Sequence, residues 1–215
     1  MKSKLPEDFR CGFVAVVGRP NVGKSTLVNN ILGMKIAIVS AVPQTTRNKI
    51  RGIYNEKRGQ IIFIDTPGMH LGSDQLDRYM NTSSQEVIND ADVVVHLVDT
   101  RRMTGREEKI VVDRLKKLAK PIILGLNKID LKGKYLPQYL ELWEKTLGKP
   151  FQELNERIVA VPISSLTGTN LDKLLDEIFV RLPSGEPLYP LDVVSDIPQK
   201  LAIEDIIREK FLNLL

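Results

Sequence analysis

Residues 12–33 constrain this chain more than any other stretch. The apolar run GFVAVVG passes without a break into GRPNVGKS, and STLVNNILG follows at helical spacing. A G-x-x-x-x-G-K-[ST] loop between a buried strand and a helix N-terminus wraps its backbone N–H groups around phosphate. A strand apolar on both faces belongs inside a mostly parallel sheet covered by helices, so the loop commits the chain to an α/β fold. The candidate phosphate-binding residues are Gly18, Arg19, Pro20, Asn21, Val22, Gly23, Lys24, Ser25 and Thr26. The two glycines let the backbone close in, Lys24 sets a point charge between the β- and γ-phosphates, and the Ser25 hydroxyl suits Mg²⁺. Leu27, Val28, Ile31 and Leu32 share one helix face, and Gly33 stops the helix.

The rest of the chain repeats the alternation of strand and helix. Residues 49–65 read as two strands around a short NEKRG turn, an antiparallel edge pair, and 92–99, 120–130 and 157–164 are further unalternated apolar strands. Helical patterns run over 104–119, opening with a Thr104-x-x-Glu107 capping box, over 136–148 and over 170–183. The expectation is a six-stranded, mostly parallel sheet with one antiparallel edge pair and about five flanking helices. By this reading residues 1–10 are an N-terminal extension and 11–183 the domain, while 184–198 form an extended linker; the stretch 183–198, PSGEPLYPLDVVSDIP, carries four prolines. Residues 199–215 resume as an amphipathic helix with Ile203, Ile206, Ile207, Phe211 and Leu214 on one stripe, which needs either the main domain or a further domain to cover it.

Composition narrows the classes. At 42% hydrophobic the chain can build a core, and a net charge of +4 permits a nucleic-acid partner without demanding one. A single cysteine excludes an internal disulfide and gives no support to a zinc site, so Cys11 reads as a small apolar residue beside the first strand. His96, inside VVVHLVD, reads as a packed strand residue with a satisfied ring nitrogen. With no signal peptide and no long apolar run, the expected location is the cytoplasm.

Which base the loop would serve is answered by NKID at 127–130, at the end of an apolar strand where an open α/β sheet places its ligand crevice. Guanine presents two adjacent donors that the Asp130 carboxylate can accept together, and adenine does not, so Asp130 selects guanine. Asn127 braces the loop, and the stem of Lys128 covers the base face. Ile163, Ser164 and Ser165, closing the last strand, are expected to turn backbone N–H groups toward the guanine O6. Asp65 ends IIFIDTPG and suits Mg²⁺ held through water, and Gly68 lets its N–H approach a γ-phosphate; Asp65, Thr66, Pro67, Gly68 and Met69 form one candidate switch. Gln44, Thr45, Thr46, Arg47 and Asn48 form the other, with Thr46, or alternatively Thr45, closing on Mg²⁺.

GRPNVGKS, QTTRN, DTPG, NKID and ISS in this order identify a GTPase domain of the translation-factor-related class. GRPNVGKST with QTTRN and DTPGMH, followed by LYPLDVVSDIP and AIEDIIREKFL, resembles the Era family of ribosome-assembly GTPases across the whole chain. The resemblance implies hydrolysis of GTP to GDP and phosphate, with Lys24, Thr46 and Gly68 catalytic and Mg²⁺ as cofactor; Met69 makes the intrinsic rate slow unless another group holds the water. It implies that 199–215 begin a KH-type RNA-binding domain whose remainder lies beyond Leu215. Through that domain a monomer would bind the 3′ end of 16S rRNA in the small ribosomal subunit, in the cytoplasm or peripherally at the inner face of the cell membrane. Met69 stands where Ras-like relatives place a water-orienting glutamine, which a thioether cannot replace, and His70 is a candidate substitute. Relatives sharing the GRPN loop use its asparagine oxygen for K⁺, which makes Asn21 a candidate K⁺ ligand; the alternative is that Asn21 only shapes the loop. Two other readings stay open: a nucleotide-gated binding module with incidental turnover, and a related GTPase of tRNA modification or large-subunit assembly.

Overall fold

The computed structural model describes residues 6–36, 50–65, 87–154, 157–196, 207 and 210, without the side chains of Ile50, Arg51 and Asp65. Six strands form one sheet: β1 (Arg10–Val17), β2 (Ile50–Glu56), β3 (Gly59–Asp65), β4 (Val93–Asp99), β5 (Ile122–Asn127) and β6 (Ile158–Pro162), in the order β2-β3-β1-β4-β5-β6. All neighbours are parallel except β2 and β3, which pair antiparallel at one edge, as their short turn implied. Four helices are described in full: α1 (Lys24–Leu32), α2 (Arg106–Leu115), α3 (Leu136–Leu147) and α4 (Leu171–Arg181).

The two-sided apolar strands explain the layering. In β1, Val14 and Val16 face a core that α1 and α4 close with Leu27, Val28, Leu174 and Ile178, while Ala15 and Val17 face the opposite core, closed by Val111, Val112, Tyr139 and Trp143 of α2 and α3. Each fully buried Val, Leu or Ile contributes about 2 kcal/mol of transfer free energy, so both faces are strongly committed. Since β1 lies between β3 and β4, the chain reverses direction across the sheet at β1, and the loop after it opens at the switch point where open sheets bind ligands.

Two local expectations fail for tertiary reasons. The helix expected from Thr104 begins at Arg106, with Gly105 as its cap and no side-chain cap bond. The Thr104 N–H is instead taken by Gln138 Oε1 at 3.3 Å, and Glu107 leans toward Arg19. Residues 87–90 are helical although no helix was expected there. Val87, Ile88 and Ala91 are buried, and the Lys120 ammonium donates to the carbonyls of Ile88, Asn89 and Ala91, a cap too distant in sequence to anticipate. Cys11 is buried as expected, lies in β1 itself, and burial pushes its thiol up.

The stretch read as a linker is held against the sheet. Cys11 N–H donates to Pro183 O, Gly185 N–H to Phe9 O, and Ile53 N–H to Val194 O at 2.9 Å. Gln60, fully buried in β3, accepts from the N–H groups of Leu188 and Tyr189 at 2.9 Å each and donates to Tyr189 O and Asn55 Oδ1. Tyr189 packs on Phe9, Cys11 and Ile62. Of the helix expected over 199–215, only residues 207 and 210 are described, and both are helical.

Candidate functional site

The loop after β1 packs against protein at both glycines. Gly18 has φ 153°, and a Cβ there would lie 2.2 Å from Leu97 O; Gly23 has φ 109°, and a Cβ would lie 2.5 Å from Asn127 Nδ2. Neither position admits a side chain, so β4 and the end of β5 set the loop's path. Lys24 Nζ folds over the loop to donate to the carbonyls of Gly18 and Arg19 at 3.3 and 3.1 Å. Asn21 is exposed in the left-handed region at φ 62°. Ser25 and Thr26 lie in the first turn of α1, whose N-terminus meets the loop. The Arg19 side chain departs from a phosphate-facing role, because its guanidinium is buried with Nε 2.8 Å from the Glu108 carboxylate.

The base motif is tied to this loop. Asn127 donates from Nδ2 to Val22 O at 2.7 Å and accepts at Oδ1 from Ser165 N–H at 2.8 Å, so one buried side chain joins the phosphate loop to the turn after β6. Lys128, at φ 68°, donates to Asn21 O at 2.7 Å. That left-handed step swings the chain into the 3-10 turn Ile129–Leu131, which holds Asp130 exposed at the sheet's C-terminal edge.

The three N–H groups expected to face guanine do not all do so. Ile163 N–H donates to Leu126 O and Ser164 N–H to Thr169 O, because they complete β6 and its turn. Ser165 N–H goes to Asn127, so a guanine oxygen would share that donor or take the adjacent N–H of Leu166.

Asp99 was not anticipated, although an aspartate ending VVVHLVD before two arginines was the available signal. It is 1% exposed, accepts from Arg101 Nη2 at 2.8 Å and Lys128 Nζ at 2.9 Å, and so anchors the lysine that spans the two halves. Burial pushes its carboxyl up, but the hydrogen bonds from Arg101 and Lys128 outweigh this and hold it at about 2. A carboxyl depressed in the folded state stabilises fully above its unfolded value near 3.9 and loses that contribution as pH falls toward 2. Urea denaturation at pH 5 and pH 3 is therefore expected to show a stability difference about 1–2 kcal/mol larger for the unsubstituted chain than for Asp99→Asn. An equal difference would mean that Asp99 is not held down. His96 meets its expectation, fully buried with Nε2 3.0 Å from Glu108 Oε1.

Among the switch residues, Gln44, Thr45, Thr46, Arg47, Asn48, Thr66, Pro67, Gly68, Met69 and His70 lie outside the described residues, as does the Asp65 side chain. The strands that carry them are placed: Asp65 pairs with Val16, next to the phosphate loop, and with Ile50, where the chain returns from the first switch segment. No described helix is long and apolar enough to cross a membrane.

Comparison with known proteins agrees with this geometry. A sequence model of the family described as 50S ribosome-binding GTPase matches residues 13–128. GTPase Era of Halothermothrix orenii is 41% identical over 207 residues, covering 96% of this chain and 67% of the relative. GTPase Era of Geobacter metallireducens is 41% identical over 208 residues, with the same coverage. A crystal structure of an Aquifex aeolicus Era variant bound to GDP and AlF4⁻ superposes with a TM-score of 0.83 at 40% identity, over 94% of this chain and 67% of that one. Era in complex with MgGDPNP and nucleotides 1506–1542 of 16S ribosomal RNA gives 0.84 at 38% identity, with the same coverage.

Proposed function

We propose that this chain, which belongs to the Era family of GTPases, acts as a GTP-driven switch in assembly of the small ribosomal subunit. The chain hydrolyses GTP to GDP and phosphate. The observation that carries the site assignment is the direct joining of phosphate loop and base motif: Asn127 holds Val22 O and Lys128 holds Asn21 O, so the two halves of a guanine nucleotide would meet a single rigid surface. On this reading Gly18 to Thr26 take the phosphates through backbone N–H groups and Lys24, and Asp130 takes the guanine donors. Mg²⁺ would be held by Ser25 and Thr46 and, through water, by Asp65; the placement of Asp65 at the end of β3, with Val16 of β1 as its register partner, supports that set. Thr46 and Gly68 would sense the γ-phosphate and release after hydrolysis. The rRNA contact belongs to the same proposal, since a related Era is known bound to a 16S fragment; residues 199–215 would begin the KH-type domain making it, in a cytoplasmic monomer with peripheral membrane contact.

Single-turnover GTP hydrolysis with and without purified small subunits tests the switch, with faster turnover or subunit release on hydrolysis expected. Rates and subunit binding indifferent to each other would favour a nucleotide-gated binding module with incidental turnover. Because the matched family model carries a 50S description, large subunits form a third arm; a response to them alone would move the assignment to large-subunit assembly.

Something must also offset the charge that develops between the β- and γ-phosphates, and Asn21 is suited to hold K⁺ there, exposed on a backbone that Lys128 fixes. K⁺ is expected to accelerate hydrolysis over equal Na⁺ by about tenfold, and Asn21→Ala to remove the difference while GDP affinity changes little. Equal rates in the two salts for the unsubstituted chain would end the K⁺ assignment.

A further inference from the structure

Arg19 and Glu108 form a buried ion pair that the nucleotide contacts leave unexplained. Arg19 is the second residue of the loop and is 9% exposed; Glu108, in the first turn of α2, is 0% exposed. Arg19 Nε lies 2.8 Å from Glu108 Oε2 and Nη1 lies 3.7 Å from Glu107 Oε2. The Nε–H does not point along its short approach, and Nη2 has no hydrogen-bond partner among the described residues. Glu108 Oε1 in turn lies 3.0 Å from His96 Nε2, and His96 packs edge-on against Trp143.

Burying two charges in an imperfectly bonded pair is a poor way to stabilise a fold, since apolar side chains of the same volume commonly do as well or better. The placement of the pair suggests another reason for it. Gly18 rests on Leu97 O of β4, and Arg19 is tethered through Glu108 to His96, the preceding residue of the same strand. Two consecutive loop residues are thus registered on two consecutive strand residues, and the carbonyls of those loop residues are the ones that accept from Lys24 Nζ. A shift of the Arg19 backbone would move the lysine that meets the phosphates. Displacement of about 1 Å at a reacting centre can cost about a hundredfold in rate.

We propose that Glu108 is a positioning residue for GTP hydrolysis, fixing the entry of the phosphate loop through Arg19 while His96 fixes the Glu108 carboxylate. This rests on the reading of residues 18–26 as the phosphate loop. The decisive comparison is between Glu108→Gln, which keeps shape and the bond to His96 but removes one charge, and the double variant Arg19→Met with Glu108→Gln, which removes both charges and leaves His96 Nε2 its partner. Single-turnover hydrolysis is expected to slow about tenfold or more in both, with GDP affinity within about threefold of the unsubstituted chain and the double variant melting close to it. Glu108→Asp, which keeps the charge on a shorter stem, is expected to fall between them and the unsubstituted chain. A folded variant of either kind that hydrolyses GTP within about twofold of the unsubstituted rate overturns the proposal. If the double variant does not fold, the ion pair is structural and the proposal fails as well. Lys24→Ala separates the underlying reading: nucleotide affinity surviving that change would refute the phosphate-loop assignment itself.

Discussion

Asp130→Asn is expected to lower GTP affinity by about a hundred- to a thousandfold, equivalent to about 3–4 kcal/mol, and to raise affinity for xanthosine triphosphate. Asp130 sits in the 3-10 turn after Lys128, exposed at the sheet's C-terminal edge, and that turn is fixed on one side by Asn127 and on the other by the lysine's reach to Asn21 O. The substitution changes no backbone contact. It replaces a carboxylate oxygen by an amide N–H, so two donors oppose each other where guanine carries its N2 amino group, whereas xanthine carries a carbonyl at that place. Since Asp130 is exposed, the melting temperature should stay within the scatter of surface substitutions. Competition of GTP and xanthosine triphosphate against a fluorescent GDP reads the result directly. A variant that still prefers GTP would show that Asp130 does not meet the base.

The second large effect is expected at Gly23. An alanine there would hold its backbone at φ 109°, where L side chains are strained, and would press its Cβ to 2.5 Å from Asn127 Nδ2 and 3.8 Å from the Ser165 Cβ. The strain costs about 1–3 kcal/mol, and relieving the clash means withdrawing Asn127 from Val22 O, which strands a buried carbonyl at a further cost of about 1–3 kcal/mol. Because that bond joins phosphate loop to base motif, GDP affinity should fall about a hundredfold along with stability. Gly105, where a Cβ meets nothing within 4 Å at an extended φ, is the control, and its alanine variant should bind GDP normally. Normal GDP binding by Gly23→Ala would show that the two halves of the site are not coupled through Asn127.

What was legible in the sequence is what short-range pattern carries. The run into GRPNVGKS, the unalternated strands and the NEKRG turn each placed an element, because buried strands and tight turns leave their mark within ten residues or so. Asn127 and Asp130 were singled out because a strand end before a short polar motif is itself a local signal, and Asn127 does brace the phosphate loop through Val22 O. The misses all involve partners distant in sequence. Asp99 draws its meaning from Lys128, Glu108 from Arg19 and His96, and the helix end at 87–90 from Lys120. The same applies to Ile163, whose N–H was assigned to a base before its partner Leu126 could be known. The capping-box pattern at Thr104 was outvoted by Gln138 on a neighbouring helix.

The segment 183–196 bears on how molecules of this protein behave toward each other. β2 is the outermost strand of its sheet, and an unpaired outer strand is a template on which another chain can add. Val194 occupies the N–H of Ile53, and the isolated bridge between Gly52 and Ser195 continues the cover by one residue. A shorter version ending at Pro183 would keep every nucleotide motif, yet it would leave the Gln60 amide without its Leu188 and Tyr189 partners and that outer strand bare. Its characteristic failure would be self-association with nucleotide still bound, because the cover that Val194 and Ser195 give the outer strand would be gone.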